Sequence, residues 1–113
     1  MRRRDFDRLV ERDGGKCLHC GATEGLVPNH RRSRGMGGSK LRDVPSNLVL
    51  MCSTMNNAIE DDVRLAAVAV QYGWKVTGLD AWEVIPVYDV TAQGWFVLDN
   101  HFNRLAVSSG EHL

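Results

Sequence analysis

Residues 45–57 read PSNLVLMCSTMNN, and the change of period inside this stretch decides the fold. Residues 48–51 are a short apolar run set off by Pro45, Ser46 and Asn47, which predicts a strand. From Ser53 or Thr54, either able to act as an N-cap, the spacing turns helical. Ile59, Val63, Ala66, Ala67 and Val70 fall on one face, and Glu60, Asp61 and Arg64 fall toward the other. That pattern predicts one helix running to Tyr72 with a glycine stop at Gly73. A strand that hands over directly to a helix, with an asparagine at each end, directs attention to what precedes it.

Upstream, Phe6, Leu9 and Val10 stand at i, i+3 and i+4 and are followed by Gly14 and Gly15, which predicts a short amphipathic helix over residues 3–13. Cys17 and Cys20 form a C-x-x-C pair just after those glycines. Residues 25–28 are an apolar stretch that leads, as a strand, into Asn29 and His30. The glycine-rich residues 35–39 must form a loop. Downstream of Trp74, residues 83–90 and 94–98 are expected as two strands around a turn at 91–94, with 104–107 a third. Helices and strands are segregated along the chain, so the expected class is α+β.

The net charge is zero, yet residues 1–42 carry a balance of +6 and residues 43–113 one of −6. A basic half can steer a neutral chain onto a polyanion. No apolar run approaches the roughly 20 residues of a membrane span, and the first ten residues lack a signal peptide's apolar stretch. A cytoplasmic location and no membrane partner are expected. Three cysteines, an odd number with two of them closely spaced, point in a reducing compartment to metal or redox use rather than to disulfides.

The order C-x-x-C, strand, Asn29-His30, basic glycine loop, Asn47, strand, Cys52-x-x-Met55-Asn56, helix resembles the HNH endonuclease family, in particular its small phage- and prophage-type members. The resemblance covers about residues 16–60 and extends weakly through residues 73–96. It implies a ββα-metal (His-Me finger) core, two strands and a helix around one divalent ion, inside a single domain over 1–113. The core motif would lie at about 16–73, and a strand extension at about 82–107. His30 occupies the family's general-base position, Asn29 and Asn56 its metal-ligand positions, and Asn47 the middle position that orients the histidine and fixes the loop. Asn57 is a rival to Asn56.

The residue types suit phosphodiester hydrolysis without the family name. It needs a base for water, a cation for developing charge and fixed placement of both. A histidine titrates near neutral pH. Amide oxygens are hard ligands that suit Mg²⁺ or Mn²⁺. Arg31, Arg32, Arg34, Lys40 and Arg42 make a run of five cations with no acid among them, expected to grip the phosphates of double-stranded DNA. One site in one small domain cuts one strand, so a nickase acting as a monomer or weak dimer is expected. The resemblance implies phage DNA packaging or processing beside a terminase.

Zinc is a separate question. Cys17, Cys20 and Cys52 supply three ligands for a structural Zn²⁺, with Met55 where the family has its fourth cysteine. Either His19 or a water completes the site, or Met55 fills the space as core. Trp74, Trp82, Trp95 and Phe96 are expected to pack rather than to stack on bases, Glu60 to orient a ligand or stay exposed. A non-catalytic DNA-binding module and a zinc-knuckle interaction protein are the competing functions.

Overall fold

The computed structural model describes residues 1–33, 40–78 and 81–108. The glycine-rich loop expected at 35–39, with Arg34, lies outside the described residues, as do the C-terminal five. The fold is α+β, with three helices and two small antiparallel sheets among the described residues.

Helix α1 spans Arg3–Arg12 and stops where Gly14 and Gly15 turn left-handed, at φ 74° and 70°, the Gly15 amide donating to the Val10 carbonyl. At its end Arg12 and Asp13 form a fully buried ion pair at 2.8 Å. Arg12 also donates to the carbonyls of Pro45 and Leu48, and Asp13 accepts from the Leu50 amide, so both charges have hydrogen-bond partners beyond each other. This pair fastens α1 to the strand beside it.

That strand is β2, Leu48–Cys52, paired antiparallel with β1, Leu26–His30, in a register that sets His30 opposite Leu48 and Leu26 opposite Cys52. Residues 48–51 are all buried, because α1 and the cysteine knuckle close over β2 as well as β1; the Leu18 amide donates to the Leu50 carbonyl. A strand covered on both faces has to be apolar throughout, which explains the run. Residues 45–47 do not join the strand but form a 3₁₀ turn before it.

The long helix expected from residue 53 to 72 is two helices. α2 spans Ser53–Asp61 and α3 spans Val63–Gln71. Asp62 leaves the helical region at φ −117°, ψ 117°, and its carboxylate accepts from the amides of Arg64 and Leu65. Its side chain competes with the helix for those amides and wins as an N-cap. The N-cap of α2 is Cys52 rather than Ser53 or Thr54, its sulfur accepting from the Met55 amide.

Gly73 follows the Tyr72 cap of α3, and here only glycine fits: φ is 76° and a Cβ would sit 1.9 Å from the Pro86 carbonyl oxygen. Trp74 is buried beyond it, its indole donating to the Tyr88 carbonyl. The second sheet has order β3-β4-β5, from Val87–Asp89, Gly94–Leu98 and Arg104–Val107. Only the last three residues of the strand expected at 83–90, apart from Val90, pair. The carbonyls of Trp82 and Ile85 are held instead by a buried arginine, Arg31. Backbone bonds from Val90 to Leu18 and from Tyr88 to Tyr72 dock this sheet on the knuckle and the exit of α3. Tyr72 stacks on Trp74 at 5.1 Å and on Trp95 at 6.0 Å, and Tyr88 packs tilted against Tyr72 and Trp95, which gives Trp74 and Trp95 the packing role expected of them. No helix among the described residues is long and apolar enough to cross a membrane.

Candidate functional site

The alternation of β1 sorts the residues around His30. Successive side chains of a strand point to opposite faces, so Asn29 and Arg31 go one way, Pro28 and His30 the other. Pro28 and His30 line a cleft of about 540 Å³, walled by Asp5 and Arg8 of α1 and by Asp43 and Phe102. The His30 ring keeps about a quarter of its surface exposed there, and its Nε2 lies 2.6 Å from Asp43 Oδ1. An imidazole held by a carboxylate and open to water has the geometry that a general base requires.

Asn47, fully buried, ties together the segment that follows His30 and the one that precedes Asp43. Its Oδ1 accepts from the Arg32 amide at 2.8 Å, and its Nδ2 donates to the carbonyls of Arg32 and Arg42 at 3.1 and 2.9 Å. One side chain thus joins the two feet of the loop, while the Asn47 carbonyl takes the Arg31 amide. No bond joins Asn47 to the His30 ring among the described residues; it fixes the loop and not the imidazole directly.

Arg31 corrects the expectation of five phosphate-binding cations. It is fully buried, and its guanidinium donates to four carbonyls: Gly73 at 2.7 Å, Ser46 at 3.0 Å, Trp82 at 2.8 Å and Ile85 at 2.6 Å. A side chain without exposed surface and with its donors committed reaches no phosphate. Burial pushes its pKa down to about 9, with Arg12 pushing the same way and Glu83 opposing, so at neutral pH it is still charged. Arg32 is half-buried, donates to the Gly78 carbonyl and lies 5.7 Å from the Trp82 ring centre. Arg42, half-buried, donates to the Ser33 carbonyl. Lys40 opens a 3₁₀ turn, Lys40–Arg42.

Asn29 is 2 % exposed and donates through Nδ2 to the Trp74 carbonyl at 3.0 Å. It does not line the His30 cleft. Its amide oxygen is of the hard donor type that suits Mg²⁺ or Mn²⁺. Asn56 sits half-buried on the first turn of α2, and Asn57 and Glu60 are exposed.

The three cysteines do come together. The sulfurs of Cys17, Cys20 and Cys52 lie within 4.8 Å of one another, Cys20 and Cys52 at 3.8 Å, and among the described residues they are the one such cluster of metal-ligating side chains. All three are free thiols. Burial pushes the Cys17 thiol up to about 11, whereas the Ala22 backbone amide holds that of the exposed Cys20 below its ordinary value. The trio could bind a metal. His19 is not its fourth member: its ring sits edge-on against Trp74 at 5.3 Å, with Nδ1 buried and unpartnered. Met55 is buried beside the trio's Cys52 as core.

Sequence reasoning missed Asp43, which directly follows the cation run and carried no motif signal. It also missed Ser46 and Asn100: the Ser46 hydroxyl and amide both bond Asn100 Oδ1, and the Trp82 indole donates to the same hydroxyl. Comparison with known proteins finds no family model, no curated protein and no solved structure that matches this chain.

Proposed function

We propose that this chain is a metal-dependent DNA endonuclease of HNH type, a nickase in its simplest form, with β1, β2 and α2 as a ββα-metal core. The observation that carries the reading is His30 at the end of β1, its ring facing an open cleft while Asn47 pins the adjoining loop. His30 takes a proton from water through the nitrogen that Asp43 does not hold. The resulting hydroxide attacks phosphorus and expels the 3′-oxygen. The resemblance assigns a Mg²⁺ or Mn²⁺ to Asn29 and Asn56, an ion that would supply Lewis-acid stabilisation of charge on the phosphate and the leaving oxygen. Asn29, buried on the face of β1 opposite His30, does not fit that role. Arg32, Arg34, Lys40 and Arg42 hold the duplex by its phosphates, so sequence preference is weak. The setting is host cytoplasm, in phage DNA packaging or processing beside a terminase.

The test is purified protein on supercoiled plasmid with a series of divalent metals. The reading expects nicking by the wild type and none by His30→Ala. If neither nicks with any metal while both still retard DNA in a gel, the enzyme falls. A DNA-binding module that kept the fold then takes its place. The neutral amides at Asn29 and Asn56, with Asn29 off the cleft lining, favour that second reading.

A further inference from the structure

We propose that Asp43 is the positioning residue of the His30 site: its carboxylate accepts the proton on Nε2, holds the ring across the cleft and leaves Nδ1 as the nitrogen that receives the proton from water. The proposal rests on the reading of His30 as the base. Three observations carry it. First, the contact is 2.6 Å, the distance of a charge-assisted hydrogen bond, and both side chains line the same cleft. An ionised carboxylate only accepts, so the nitrogen it touches must carry hydrogen, and a neutral ring then has its lone pair on the other nitrogen.

Second, the residue expected to orient the imidazole has no hydrogen left to give it. Both N–H bonds of the Asn47 amide go to backbone carbonyls, of Arg32 and Arg42, and its oxygen takes the Arg32 amide. Third, those bonds explain how Asp43 arrives. Asp43 lies 13 residues from His30 in sequence, on the residue after Arg42, and Asn47 ties Arg42 to Arg32 two residues past His30. The order of support is Asn47, loop feet, Asp43, His30. The other charged groups of the cleft do not displace Asp43. Arg8 lies over the Phe102 ring at 4.4 Å, and Asp5 belongs to no cluster of metal-ligating groups with His30.

The experiment has two arms, run on the full chain, with thermal melts confirming that each variant folds; Asp43 is 40 % exposed at its side chain, so its replacement should leave the fold intact. In the DNA-free arm, proton NMR of protein labelled with ¹⁵N-histidine reads the ring N–H of His30. The wild type should give a far-downfield Nε2–H resonance that Asp43→Ala removes and Asp43→Glu retains in part. In the kinetic arm, Asp43→Ala and Asp43→Asn should lower kcat for plasmid nicking by about tenfold to a hundredfold. KM for DNA should stay the same or fall, since a negative charge has left a phosphate-facing cleft. A resonance unchanged in Asp43→Ala, or an alanine variant that nicks at the wild-type rate, overturns the proposal. A wild type that never nicks but shows the Asp43-dependent resonance sinks the nuclease reading while the His30–Asp43 contact stands.

Discussion

Replacing Arg31 by lysine tests whether the basic run is one functional patch or two structures in sequence. The Arg31 fork holds four carbonyls: Nη1 bonds Ser46 and Trp82, Nε bonds Gly73, and Nη2 bonds Ile85. A lysine nitrogen placed where Nη1 stands keeps the first two and abandons the others. Two buried acceptors are orphaned at about 1–3 kcal/mol each, so the cost is about 2–6 kcal/mol. Against a total of about 5–15 kcal/mol for a typical domain, that is a large share. It lowers Tm by about 10 °C or more in a chain of this size. The assay is thermal unfolding by circular dichroism, beside DNA retardation measured well below the melt.

The sign with pH follows from the lowered pKa. The unfolded guanidinium binds its proton more tightly than the folded one, so folding gains from this group only as pH rises above about 9, and the gain is lost as pH falls through that value. Between pH 5 and 8 the guanidinium is charged in both states, so in the wild type it adds no pH dependence to stability there. A variant that melts within about 2 °C of wild type yet binds DNA tenfold more weakly would refute the burial argument and return Arg31 to the phosphate grip.

Asn47→Ala removes three hydrogen bonds from the loop feet and should cost about 2–4 kcal/mol in urea unfolding. Nicking should fall further than stability alone explains, because Asp43 and His30 lose their common support. Gly73→Ala forces a left-handed alanine whose Cβ meets the Pro86 carbonyl, so a loss above about 2 kcal/mol is expected in the same assay. A near-neutral result would mean that the α3 exit and residue 86 are not packed as described. Cadmium added to the reduced protein should produce sulfur-to-metal charge-transfer absorbance that Cys20→Ser diminishes. Binding should weaken as pH falls, since the Cys17 thiol, held up near 11, must give up its proton to the metal. Absence of that absorbance at mildly alkaline pH would remove the metal reading of the trio.

The order of elements was legible because it rests on period alone: apolar runs at 26–28 and 48–51, a 3.6-residue pattern from 53, and glycines at the stops. The break at Asp62 was not, since an aspartate in mid-helix and an aspartate that caps a new helix look alike until the backbone declares which. Arg31 was misread because composition was used where alternation would have served. In Val27, Asn29 and Arg31 every second residue shares a face, and Asn29 on that face is buried against Trp74. Asp43 could not be found this way. Its partner is set by the closing of a loop, which no local pattern encodes.

The stretch that decided the fold also decides the site, through residues that read at first as mere turn. The Pro45 carbonyl takes Arg12 from α1, the Ser46 carbonyl takes Arg31 from the end of β1, and Asn47 takes both feet of the loop. The Ser46 hydroxyl meets Trp82 and Asn100, which belong to the C-terminal half. Helix α1, the end of β1, both feet of the loop and Asn100 are therefore bonded to one 3₁₀ turn of three residues, Pro45–Asn47. A side chain at the end of a strand has the precision of whatever holds the segments beside it. Here the hold comes from Ser46 and Asn47, both fully buried, and not from the charged residues around them. The C-terminal half is then part of the site's support: Asn100, which lines the His30 cleft itself, and Trp82 both bond Ser46, in the turn that carries Asn47.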